Sequence, residues 1–140
     1  MKATQKATKA FFQNTGKLFY AIAAADGKVK TEEFNKLQEI VKNEWLTTNI
    51  IIRDYNEDIE SLILDTFKWL QSIDDYNADV CYTSFIDFKK THEQLFTKKI
   101  KQLILKTAGQ IAASFSGVNK SELIMLAKLN LEFKKQVDEK

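Results

Sequence analysis

Two carboxylates, Asp26 and Glu33, stand at a spacing that poses the question of a cation site. Asp26 ends the run Ala21 to Ala25 with Gly27 behind it, Glu33 follows seven residues later, and Glu122 repeats Glu33 at a distance of 89 residues. Acidic residues gathered around a glycine turn are the raw material of an oxygen-ligand site for calcium or magnesium, and zinc accepts carboxylates too. The segment from Asp26 to Phe34 reads like the second half of an EF-hand loop: carboxylate, turn glycine, apolar anchor, closing glutamate. The first half does not fit. Its opening ligand positions fall on Ile22 and Ala24, which carry no side-chain oxygen, so an ordinary EF-hand is excluded on ligand count.

Each carboxylate also has a role that needs no metal. Asp26 can close an Asx turn around Gly27, and Glu122, three residues after Asn119, fits a helix capping box. Glu33 lacks the complete box, because Lys30 has no side-chain acceptor to offer. At the C-terminus of a helix Asp26 opposes the macrodipole by ~0.3–1 kcal/mol, so a compensating cation is expected. Lys28, Lys30 or a divalent ion would serve.

Other reactive residues give less. Cys81 and His92 lie eleven residues apart on one helix; three turns separate them by ~16 Å, too far for proton transfer. Cys81 is expected buried and His92 partly exposed. No zinc spacing, nucleophile elbow, phosphate loop or dinucleotide fingerprint appears, so no enzyme activity, small-molecule substrate or required cofactor is expected. Lys89, Lys90, Lys98, Lys99 and Lys101, with Phe88 and Phe96 interleaved, form a basic stretch suited to an anionic partner, a membrane surface or a nucleic acid. Its two aromatics fall on the core stripe or in a turn between helices, which favours an interior place for them.

The elements that must position these residues are helices. The 140 residues contain no proline and four glycines, 44% are hydrophobic, and there is one cysteine, so a single all-helical domain spanning 1–140 without a disulfide is expected, in the cytoplasm. The Leu18 to Ala25 run is too short to span a membrane, and the polar residues from Gln13 to Lys17 break any signal-peptide core. A net charge of +2 does not argue for nucleic-acid binding. Charge is unevenly distributed, however: Asp54 to Asp79 holds eight carboxylates against one lysine, Lys89 to Lys106 six lysines against one glutamate. Neighbouring helices with complementary faces would account for it.

Apolar spacing predicts helices over about 4–25, 28–45, 57–73, 78–94, 97–114 and 120–136, with a packed connection over 47–55 and a polar turn at 74–77. Phe11, Leu18, Phe19 and Ile22 should face inward from the first, and Leu123, Leu126, Ala127 and Phe133 from the last. The result is a compact bundle of six to seven helices. An internal repeat adds detail: Ile22-Ala23-Ala24, Val29, Glu33 and Leu37 recur as Ile111-Ala112-Ala113, Val118, Glu122 and Leu126, all 89 residues on. Two related helix–loop–helix halves around one core are expected.

The signature "IAAADGKVKTEE", duplicated late in the chain, resembles that of the TerB-like family of bacterial tellurite-resistance and stress-response proteins, which includes the N-terminal-like region of DjlA. The resemblance implies an all-helical fold of two pseudo-symmetric halves, a protein partner, attachment at the inner membrane face, and an acidic cluster for divalent cations at Asp26, Glu33 and Glu122. The second corner departs from the family pattern. It has Phe115-Ser116-Gly117 where the family repeats Asp-Gly.

Overall fold

The computed structural model describes residues 2–25, 29–45, 59–73, 77–114 and 120–135. Asp26-Gly27, the 47–55 connection, most of the 74–77 turn and the corner at 115–119 lie outside them. Among the described residues six α-helices follow in order: α1 Lys2–Ala23, α2 Thr31–Ile40, α3 Ile59–Ile73, α4 Ala78–Thr91, α5 Lys98–Ala113 and α6 Lys120–Lys135. A π-helical turn, Val41–Trp45, extends α2, and a 3-10 turn, Glu93–Leu95, follows α4. The described residues include no strand, as the composition predicts. No helix among them is long and apolar enough to cross a membrane.

Two starts are fixed by side-chain caps. Asn77 Oδ1 accepts the backbone N–H groups of Asp79 at 2.7 Å and Val80 at 3.2 Å, and Thr97 Oγ1 accepts that of Ile100 at 3.2 Å. These oxygens replace the missing i−4 carbonyls of a first turn. At the other end of α4, the Thr91 hydroxyl turns back onto the carbonyls of Asp87 and Phe88. The helix stops there, and the expected continuation to Gln94 becomes the 3-10 turn.

α1 is the axis of the structure. It packs against α3, α4, α5 and α6, and every residue from Leu18 to Ala24 is buried. Phe11, Leu18, Phe19 and Ile22 face inward as their spacing requires. Alanines at 21, 23 and 24 let neighbours approach from several sides. Gly16 permits the closest approach: a Cβ there would stand 2.7 Å from the Ile63 carbonyl oxygen and 3.0 Å from Thr66 Cβ. Gly16→Ala should therefore lower stability by ~1–3 kcal/mol, because α3 must move, despite alanine's helix advantage of ~1 kcal/mol. Gly109→Ala has open space around it and should stabilise instead by about 0.5–1 kcal/mol. Urea denaturation of the two variants checks both signs.

The second helix does not run evenly to Trp45. The π turn widens it and puts Val41 and Trp45 in the core. Trp45 Nε1 donates to Thr107 Oγ1 at 3.0 Å, and the Thr107 hydroxyl donates to the Leu103 carbonyl at 2.8 Å. The indole also meets Phe12 and Phe19 edge-on. α2 is thereby fastened to α5 and α1 by one polar contact and three rings.

α6 is turned differently from its expected phase. Leu123 is 60% exposed and Ala127 is exposed, while Glu122, Met125, Leu129 and Phe133 are buried and Leu126 is half-buried. The inward face begins at the glutamate, and Leu123, expected inward, lies outside. Five of the eight carboxylates of the acidic stretch lie outside the described residues. Among those residues, α3 packs chiefly on α1, whereas α5 packs on α1, α2 and α6.

Candidate functional site

Glu33 and Glu122 are each the third residue of their helix, α2 and α6. α2 packs on α5, and α6 packs on α5 and α1, which carries the two glutamates toward each other. Both are buried, at 2% and 1% exposure, with their carboxyl groups in direct interaction. Two buried carboxyls this close do not both ionise readily, so Glu33 favours its protonated form. Burial, the bond to Glu122 and that group's negative charge push Glu33 from the ordinary 4.5 up to about 8; the Lys30 amide and the Lys30 charge pull the other way. The Lys30 backbone N–H donates to Glu33 Oε1 at 2.8 Å, and the Glu33 N–H donates to the Lys30 carbonyl at 3.0 Å. This is half of a capping box, as expected from a lysine in the cap position.

Of the three carboxylates expected together, the structure therefore brings two together, inside the molecule and not in an open pocket. Asp26 lies outside the described residues. Among those residues, no three of His, Cys, Asp and Glu gather closely enough to hold a metal ion. Two carboxyl groups alone supply fewer oxygens than the six to eight that calcium takes. The pair can share a proton, or exchange it for a cation whose remaining ligands are carbonyls and water.

The basic stretch divides into two parts. Lys90, Lys98 and Lys99 are exposed. Lys89, expected on the surface, is 1% exposed: its Nζ lies 3.3 Å from Glu93 Oε2 and 3.9 Å from Glu132 Oε2. Lys101 also turns inward, donating to the Phe133 carbonyl at 3.1 Å with its ammonium 5.9 Å from the Phe133 ring centre. Burial and the nearby Lys89 charge lower its pKa, against the opposing pull of Glu93. Glu132, 43 residues after Lys89, is the counter-charge that sequence spacing did not reveal.

Cys81 is buried, and burial pushes its thiol up to about 11, so it is protonated at neutral pH. The His92 ring stacks on Phe88 at 4.1 Å, and its Nδ1 lies 3.1 Å from the Phe88 carbonyl oxygen and 2.9 Å from Thr91 Oγ1. Phe96 is buried and Phe88 half-buried, in line with their expected core positions. No family model matches the chain, and neither a curated protein nor a solved structure matches it.

Proposed function

We propose that the chain is a non-catalytic, TerB-like helical module of a bacterial stress response, acting through a protein partner, in which the meeting of its two corners is sensitive to a divalent cation. The observation that carries this reading is the Glu33–Glu122 pair: two buried, interacting carboxyls, one from each copy of an 89-residue repeat in the sequence. Buried carboxylates require a positive partner, and a proton is the smallest one available. A calcium, magnesium or zinc ion would take its place by displacing that proton, with Asp26 as the further carboxylate. Cation occupancy would then bear on how α2 and α6 sit against α5 and α1, and so on the surface offered to a partner. Tellurite-type stress is the setting that the family resemblance supplies.

Calorimetry tests the cation. Titration of calcium, magnesium and zinc near pH 7 should show binding by at least one ion, with proton release measured from the dependence of the heat on buffer ionisation. Glu33→Gln, Glu122→Gln and Asp26→Asn should each weaken it. Heatless titrations of the wild type with all three ions would remove the cation and leave a module held together by a proton-linked carboxyl pair.

A further inference from the structure

α6 is apolar on two sides. Its inward side carries Met125, Leu129 and Phe133. Its outward side carries Leu123, Ile124 and Leu131, exposed by 60%, 52% and 63%, with exposed Ala127 between them. At 100° per residue these four fall within roughly a third of the helix circumference, so they form one stripe and not a scatter of single residues. Isolated surface leucines are ordinary; a stripe along a helix marks an interaction face.

The charge on that face has a single sign. Lys120, Lys128 and Lys134 are exposed on it or at its edge, Lys128 with its ammonium 5.7 Å from the Tyr82 ring centre. Both carboxylates of the helix point away, Glu122 to Glu33 and Glu132 to Lys89. The contact of Lys101 with the Phe133 carbonyl places the start of α5, with exposed Lys98 and Lys99, at the same end as Lys134. The outer face of α6 is thus an aliphatic ridge bordered by lysines, with no exposed acid on the helix.

We propose that this face docks on an anionic phospholipid bilayer, with Leu123, Ile124 and Leu131 entering the acyl boundary and the lysines meeting headgroup phosphates. A second copy is a poor occupant. Pairing this ridge with itself sets the exposed lysines of α6 against each other, and among the described residues of the helix neither carboxylate faces out to offset them. A protein groove would have to be both acidic and deep enough to receive a ridge, whereas a bilayer surface accepts a convex amphipathic helix as it is. This inference does not depend on the carboxyl pair.

Co-sedimentation of the full chain with vesicles tests it. Vesicles of phosphatidylcholine with phosphatidylserine should bind the protein, vesicles of phosphatidylcholine alone should not, and added salt should release it as phosphate attraction is screened. Lys120→Ala and Lys134→Ala should each weaken binding by roughly fivefold. Leu123→Asp with Leu131→Asp, at exposed positions where helical content should persist by circular dichroism, should weaken it by at least about tenfold. Several results would overturn the proposal: no binding to the anionic vesicles, undiminished binding by the aspartate variant, or equal binding to both vesicle types. A concentration-dependent dimer abolished by the aspartate pair would assign the face to a second copy instead. Capture by an acidic polypeptide, with vesicles ignored, would assign it to a protein.

Discussion

Lys89→Ala is expected to lower the unfolding free energy by ~3–5 kcal/mol, more than any other substitution in the basic segment. The ammonium is enclosed, its side chain 2% exposed, between Glu93 on the following turn and Glu132 on α6. Truncation removes the aliphatic stem from the core and leaves Glu132, itself 12% exposed, without its Lys89 partner. Glu93 Oε1 is buried and has no hydrogen-bond partner among the described residues, so the enclosure already holds one unsatisfied carboxylate oxygen. Lys89→Met separates the two contributions. It keeps the stem and removes the charge, and should therefore cost less than alanine. Adding Glu132→Gln to Lys89→Met should recover part of the loss, because a largely buried carboxylate that has lost its Lys89 contact is replaced by a neutral amide. Denaturation of the wild type, both single variants and the double variant gives the coupling directly. If Lys89→Ala unfolds at the wild-type denaturant midpoint, the buried ion pair contributes nothing and this account of α4 and α6 fails.

The second large effect concerns pH. Glu33 is raised from 4.5 to about 8 in the folded state, so between those values the unfolded chain has lost a proton that the folded chain keeps. Its contribution to stability is fully present below pH 4.5, declines as pH rises, and is lost once pH passes about 8. This runs opposite to an ion-paired carboxylate, which loses stability on acidification. The total at stake is on the order of a few kcal/mol. Glu33→Gln isolates it. The amide oxygen can accept the Lys30 N–H and the amide nitrogen can donate to Glu122, reproducing both contacts with no titratable proton. The variant should match the wild type near pH 4 and exceed it by a few kcal/mol near pH 8, measured by urea denaturation across that range. A difference independent of pH would show that the two carboxyls do not share a proton.

Much of the helical layout was legible in the sequence, because long apolar stripes report their own period. α1 is the clearest case, with Phe11, Leu18, Phe19 and Ile22 all inside. The caps at Asn77 and Thr97 are not singled out by the spacing, which makes Asn77 the end of a polar turn and Thr97 the start of a helix. The phase of α6 was not legible either. A carboxylate in a first turn is ordinarily solvated, so Glu122 was read as a cap and Leu123 as core; the reverse holds because Glu33 waits inside to pair with it. The π turn escaped for a related reason: a sequence scanned at 3.6 residues per turn cannot show where the period changes. The long-range contacts of the basic stretch were invisible too. Nothing near Lys89 in the chain announces Glu132, and the two meet only because α4 and α6 converge.

The fold places the two tryptophans in opposite settings: Trp45 is fully enclosed beside Thr107, and Trp69 is 55% exposed on α3. They make the chain its own pair of optical gauges. The blue side of the emission belongs to the interior and survives acrylamide, while the red side belongs to the surface and is quenched by it. One cuvette can thus follow loosening around α2 and α5 separately from events on the face of α3.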